Sequence, residues 1–287
     1  MVATYANKVF TDAEKFVYYV LEGEALYGQT PAAPSWLLPG VRSNFENTID
    51  RSIVKIVPGG SRDVAFFKKG QLKTGFNLDY HMQNNTFLDL ARTLLCFSTI
   101  AYFTEGGTPD VYLHKGCLIN RATVSASIDN PIAVRTEVIS QNCVHGTTIP
   151  GTPYAGEPGA TPIMWNASDV VFGADINLHG ALTDWSFTLN NNLQRIPVIR
   201  STTGDLLKYL AERARSITGE LTVAYVDSTF MDAIIAMTEA NLVITVAGVG
   251  TYTLGGVAFD SGRYTSKPPA EIVPQRLPFT AKTYGFA

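Results

Sequence analysis

The two halves of this 287-residue chain carry the same short pattern in the same order, and that constrains the fold more than any single motif. Thr74-Gly75 opens an alternating stretch that ends in Thr86-Phe87-Leu88-Asp89. Thr218-Gly219 opens a similar stretch that ends in Thr229-Phe230-Met231-Asp232. The separations are 144 and 143 residues, and Tyr112, Gly116 and Asn120 return as Tyr252, Gly256 and Asp260 at 140, so small gaps keep the register. Upstream, Phe45 and Phe187 add a single shared residue 142 apart. Two copies at so long a period exclude a solenoid array. They predict two similar units able to take equivalent places in a ring.

The local pattern is mostly that of strands. Phe76, Leu78, Tyr80 and Met82 alternate with Asn77, Asp79 and His81, the period of a strand with one buried face. In the second copy Leu221, Val223 and Tyr225 alternate with Glu220, Thr222 and Ala224. A short helix follows each strand. Thr86 is expected to cap the first, with Phe87, Leu90, Ala91 and Leu94 on one side and Asp89 in the first turn, where a negative charge suits the helix dipole. Phe230, Ile234 and Met237 define the face of the second, with Asp232 in the place of Asp89. Residues 122–128 and 132–138 alternate around Asp129-Asn130-Pro131, a hairpin signal. Trp185, Phe187 and Leu189 restart the alternation.

At the amino end, Thr11-Asp12-Ala13-Glu14 has capping-box form, and Phe16, Val17, Val20 and Leu21 fall at helical spacing. A helix ending near Gly23 or Gly28 is expected there, leading into an extended Pro-rich arm through Gly40. The expected fold is therefore mainly β with short helices (α+β), built as two tandem β-sandwich or barrel modules, each with a flanking helix. The boundaries read as 1–40 for the helix and arm, 41–141 for the first module, 142–170 for a Gly/Pro/Thr-rich linker or loop, and 171–287 for the second module.

Composition excludes several functions. Charged residues make up 16% of the chain and the net charge is −3, so no basic excess is present to hold phosphates by counterion release. Cys96, Cys117 and Cys143 are odd in number and irregular in spacing, which does not read as a disulfide framework. No secretory signal is evident at the amino end, and the apolar run 233–249 contains Glu239 and Asn241, so no membrane anchoring is expected.

Chemical motifs are missing too. There is no G-x-x-x-x-G-K loop, no G-x-S-x-G elbow and no H-E-x-x-H, and Gly248-Val249-Gly250 reads as a turn. His114, Cys117, Cys143 and His145 are the nearest approach to a metal site, but their spacing lacks the close cysteine pair of structural zinc sites, so neither metal nor cofactor is expected. No carboxylate pair stands out for acid and base roles. The Arg213-Ala214-Arg215 run fits a protected strand edge better than a nucleic-acid contact. The sequons at Asn84 and Asn166 match a pattern that short motifs often hit by accident.

One family resembles this chain. Trp185-Ser186-Phe187-Thr188-Leu189, then Arg215-Ser216-Ile217-Thr218-Gly219-Glu220-Leu221-Thr222-Val223, then Phe230-Met231-Asp232-Ala233, is similar to the major tail tube protein of long-tailed phages, and Gly116-Cys117-Leu118-Ile119-Asn120 is similar to the middle of the same proteins. The likeness extends in pattern over residues 40–287. It implies a non-enzymatic virion protein, assembled in the host cytoplasm, whose inner sheets join into rings. The rings stack into a tube around a lumen through which DNA passes at ejection. The implied partners are further copies of the chain, other tail proteins and, transiently, DNA. Duplicated members form three-subunit rings with near six-fold symmetry and single-module members six-subunit rings, so a trimer is expected and a hexamer is the alternative. Asn77, Asp79, His81, Glu220, Thr222 and Ala224 are the candidate residues facing the lumen or a neighbouring layer. A capsid-decoration or receptor-binding β protein is the alternative role, and a sugar hydrolase on a β scaffold a third.

Overall fold

The computed structural model describes residues 15–23, 27–56, 59, 66–103, 109–151, 161–173, 176–178, 181–197, 207–224, 229–264 and 273–287. The capping-box residues Thr11 to Glu14, and Tyr225, lie outside them. In chain order the first half contains β1 (Lys15–Leu21), β2 (Val41–Ile56), β3 (Phe66–His81), α1 (Thr86–Thr93), β4 (Phe97–Phe103), β5 (Asp110–Ser127), β6 (Ala133–Ser140) and β7 (Asn142–Gly146). The second half contains β8 (Ser168–Phe172), β9 (Ile176–Asn177), β10 (Leu182–Asn190), β11 (Gln194–Pro197), β12 (Leu207–Ala211), β13 (Ser216–Ala224) and α2 (Thr229–Ile235). It ends with β14 (Ala240–Val246), β15 (Gly250–Phe259), β16 (Arg263–Tyr264), β17 (Pro274–Ala281) and β18 (Thr283–Phe286).

Antiparallel pairing links these strands, apart from β11 and β12, which pair with each other, into a long sheet that runs β2-β3-β6-β5-β10-β13-β17-β15. The path β2-β3-β6-β5 in the first half has the same form as β10-β13-β17-β15 in the second, and β5 and β10 pair directly. Each half adds a flanking sheet that shares its longest strand: β1-β4-β5-β7 in one, β8-β14-β15-β18 in the other. The shared strands turn from flanking to central sheet at Gly116 and Gly256, whose φ angles are +60° and +62°. Left-handed backbone of this kind is open to glycine and strained for other residues. Further irregularities also recur in place, with register shifts between Arg42 and Asn44 in β2 and between Leu182 and Asp184 in β10. Leu94 and Met237, just beyond α1 and α2, take φ angles of 52° and 50°.

Facing side chains correct two details of the apparent repeat. Phe76, Leu78 and Tyr80 point into the core from β3, and Leu221 and Val223, with Gly219 in the same alternation, do so from β13. Gly75 therefore faces outward, and its match to Gly219 is a coincidence one residue out of register. Phe45 stands opposite Leu78 as Trp185 stands opposite Leu221, so Trp185, not Phe187, occupies the place of Phe45. Volume is exchanged across one strand pair. Phe76 opposes Val138 in the first half, while Gly219 opposes Phe279 in the second, where a Cβ at 219 would lie 2.3 Å from the Phe279 ring.

Further expectations change. Residues 15–21 form β1, not a helix: Val17 and Tyr19 enter the main core while Tyr18 and Val20 pack with Trp36. A strand buried on both faces reads as a continuous apolar run, which the helical spacing of Phe16, Val17, Val20 and Leu21 mimics. The Pro-rich arm folds back on its own subunit, where Trp36 Nε1 donates to Pro150 O at 2.8 Å. The expected linker begins with β7, which pairs with β5. At α1 the N-cap is Asn85, and Thr86 is the first helical residue, its N–H donating to Asn84 Oδ1 at 3.0 Å. Met237 lies beyond α2 and is 80% exposed.

The largest core cluster spans both halves, with Tyr252 Oη of the second 3.6 Å from Met82 Sδ of the first. The second half also grips α1 of the first. Tyr252 Oη donates to Asn85 Oδ1 at 2.7 Å, Asn191 Nδ2 to Ala91 O at 2.8 Å, and Arg215 Nη2 to Arg92 O at 2.9 Å. The last two satisfy carbonyls that the end of a helix leaves open.

Candidate functional site

Alternation gives the central sheet one apolar face, turned to the core, and one polar face. The six residues Asn77, Asp79, His81, Glu220, Thr222 and Ala224 all lie on the polar face, in β3 and β13. Register brings others beside them. Glu46, Asn77, Glu137, Arg121 and Asn190 form one row across five strands, and Asp79, Arg135, Thr123, Thr188 and Thr218 form the next. Arg135 Nε lies 3.7 Å from Asp79 Oδ2, Asn77 Nδ2 donates to Glu46 Oε2 at 3.0 Å, and the Thr123 and Thr188 hydroxyls meet at 2.8 Å across the β5–β10 seam.

Opposite charges are thus mixed with amides and hydroxyls, and no block of one sign forms along these rows. An exposed ion pair of this kind contributes little stability, on the order of 0 to 1 kcal/mol. Its effect is on the field, which it keeps close to neutral. The expected hairpin around Asp129 held the signal for these partners: once Val124 and Val134 face inward, Thr123 and Arg135 must face outward.

Beyond this face, β2 and β3 continue as a two-stranded ribbon through residues 49–56 and 66–73. Its outer part exposes Ile53, Val54, Phe66 and Phe67. Isolated apolar side chains on a surface are ordinary, but a cluster on a projecting ribbon marks a contact surface.

Among the described residues no group of three or more metal-capable side chains converges. His114 and Cys143 do meet, Nε2 to Sγ at 3.6 Å, but His145 turns to Asp110, and Cys117 is fully buried on β5. Desolvation holds His114 down to about 4 and pushes the Cys143 thiol up to about 12, so the pair is a neutral, partly buried contact. The cavity between β5, β8 and β10 is walled by Ala126, Ile128, Leu178 and Trp185, and Asp169 is the one carboxylate among the described residues that line it.

The sequence profile described as phage tail tube protein matches residues 16–281. The chain belongs to this family. It is a structural subunit of a phage tail tube, not an enzyme, and as a tail tube protein it self-assembles into the stacked tube of the virion tail. Among solved structures, the chain is similar to one from the virion of a native gene transfer agent particle, with 12% identity, a TM-score of 0.35, and coverage of 42% of this chain and 95% of that one. It is also similar to the SPP1 tail tube, with 9% identity, a TM-score of 0.38, and coverage of 49% of this chain and 81% of that one. No curated protein matches. No helix among the described residues is long and apolar enough to cross a membrane.

Proposed function

We propose that the chain is a duplicated tail tube subunit, residues 15–146 forming one module and 168–287 the other, and that three chains complete a ring of six modules. One observation carries this reading: the strand path of the first half is repeated in the second, and the two are joined edge to edge through β5 and β10 in one continuous sheet. A rotation that carries one module onto the next inside the chain continues into the neighbouring chain, and closes after three.

In this arrangement the polar face of the central sheet lines the lumen. Its mixed charges suit passage of DNA, because gripping phosphates needs clustered Lys or Arg. The projecting β2–β3 ribbon, with its exposed Phe66 and Phe67, suits contact with the next ring in the stack. Assembly takes place in the host cytoplasm, and the tube ends meet other tail proteins.

Negative-stain electron microscopy of the purified chain tests the role. Hollow tubes of stacked annuli are expected. Compact oligomers that never stack would return the chain to a decoration or receptor-binding role. Tight binding of duplex DNA at physiological salt would contradict a lumen built for sliding.

A further inference from the structure

The two halves of the chain are equivalent in strand path but not in exposure, and the differences fall at two places. On α1, Leu88, Leu90 and Ala91 are buried, and residues of the second half bond both ends of the helix, Tyr252 at Asn85 and Asn191 and Arg215 at Ala91 and Arg92. On α2 the corresponding Met231, Ala233 and Ile234 are only half-buried, and Ile235 and Met237 are each 80% exposed. The complementary surface is the one α1 uses in the second half. There Leu189 is 2% exposed and Tyr252 fully buried, whereas in the first half the corresponding Ile49 is 50% exposed and Tyr112 half-exposed. In the first half an open groove lies between Phe45, Asn47, Ile49, Phe103 and Tyr112. A helix lacking its groove and a groove lacking its helix are thus left at opposite ends of one chain.

The sheet edges show the same division. Among the described strands β2 pairs only with β3, and β16 only with β17. The registers Arg263 opposite Arg276 and Tyr264 opposite Gln275 repeat Thr123 opposite Arg135 and Val124 opposite Val134, so β16 occupies the place of β5 residues 123–124. β2 occupies the place of β10, which pairs antiparallel with β5.

We infer that β2 of one subunit pairs antiparallel with β16 of the next in the register of the β5–β10 seam, while α2 of that next subunit enters the groove between Phe45, Ile49 and Tyr112. The inference rests on the ring proposed above and fixes which surfaces meet and how. Transferred from Thr188 opposite Thr123, the register sets Thr48 against Arg263. It sets Ile49 against Gly262 as Leu189 opposes Ala122, which covers the exposed isoleucine with backbone. Charge agrees with this register. Opposite Thr48, the Arg263 guanidinium lies diagonally between Glu46 and Asp50, both on the same face of β2, and diagonal neighbours are within reach of long side chains. Arg263 otherwise stands directly across from Arg276, a like-charge pair that carboxylates from a neighbour would relieve.

Double-cysteine pairing tests the register. The Thr123 and Thr188 hydroxyls meet at 2.8 Å, so sulfurs placed at the transferred positions fall within disulfide reach. Assembled T48C/R263C is expected to give covalent dimers and trimers on non-reducing gels after mild oxidation, with each single variant staying monomeric and D50C/R263C, two residues out of register, linking at least tenfold less. The helix contact is tested by Ile235→Asp with Met237→Asp. Both side chains are exposed in the lone subunit, so the melting curve of the unassembled chain should be unchanged while ring formation is lost. Tubes that form without the Thr48–Arg263 link, or that form normally from the aspartate variant, overturn the inference and leave the tube reading standing. A wild-type chain that forms no rings or tubes overturns both.

Discussion

Replacing His114 by leucine, the residue found at the equivalent place in β15 as Leu254, should remove a large part of the acid sensitivity of the unassembled subunit. The His114 ring is buried, stacks edge-on against Phe76 at 5.2 Å, and among the described residues makes its polar side-chain contacts with Ser140 Oγ at 3.1 Å and Cys143 Sγ at 3.6 Å. No carboxylate faces it through these contacts to stabilise a charged imidazole. Burial lowers its pKa from 6.5 to about 4. Between those values the unfolded chain binds a proton that the folded chain refuses, so stability contributed by neutral His114 is complete above pH 6.5 and falls as the pH drops, levelling off below 4.

The size of that loss follows from the gap, at 1.36 kcal/mol per pH unit, and comes to about 3 kcal/mol. Ser140 Oγ donates to Thr74 Oγ1 at 2.8 Å in any case, so leucine leaves no hydroxyl stranded. Urea unfolding of wild type and His114→Leu at dilution below assembly, from pH 7.5 to 4, measures the effect. The stability of the variant relative to wild type is expected to rise by about 3 kcal/mol across that range. Parallel curves for the two proteins would refute the reasoning, because a group that does not titrate differently in the two states cannot separate them.

Other outcomes follow from the same contacts. Gly116→Ala and Gly256→Ala should each cost at least about 1–2 kcal/mol in urea midpoint because the backbone is left-handed there. Gly116 should be the more severe, since its Cβ would lie 2.8 Å from Gln141 Cβ whereas that of Gly256 meets the flexible Lys282. Tyr252→Phe should cost about 1–3 kcal/mol by loosening α1 through loss of the bond to Asn85. Leu221→Ala, at a fully buried position, should cost about 2–5 kcal/mol and depress soluble yield. Phe66→Ser with Phe67→Ser should leave the melting curve of the subunit unchanged and shorten its tubes, as counted by electron microscopy.

Much of the fold was legible because strand alternation writes one face into every second residue. Gly116 and Gly256 and the turn at Asp129 stood where backbone geometry leaves little choice of residue. The Thr74-Gly75 match misled because Gly75 and Gly219 meet different needs: Gly75 approaches the Val138 carbonyl, while Gly219 makes room for Phe279. β1 was hidden because a strand buried on both faces loses the alternation that marks a half-buried one. The polar face was readable strand by strand, yet the rows that pair Asp79 with Arg135 depend on register between strands far apart in sequence. The open edges were less legible still, since only a full set of pairings shows which strands lack a neighbour.

Cryo-electron microscopy of assembled tubes, resolved well enough to count chains around one ring, tests the duplication most directly. Three chains are expected, giving six nearly alike β modules around the lumen, with the β5–β10 seam and the junction between chains superimposing. Six chains per ring, or halves of the chain that occupy unlike positions about the axis, would contradict it.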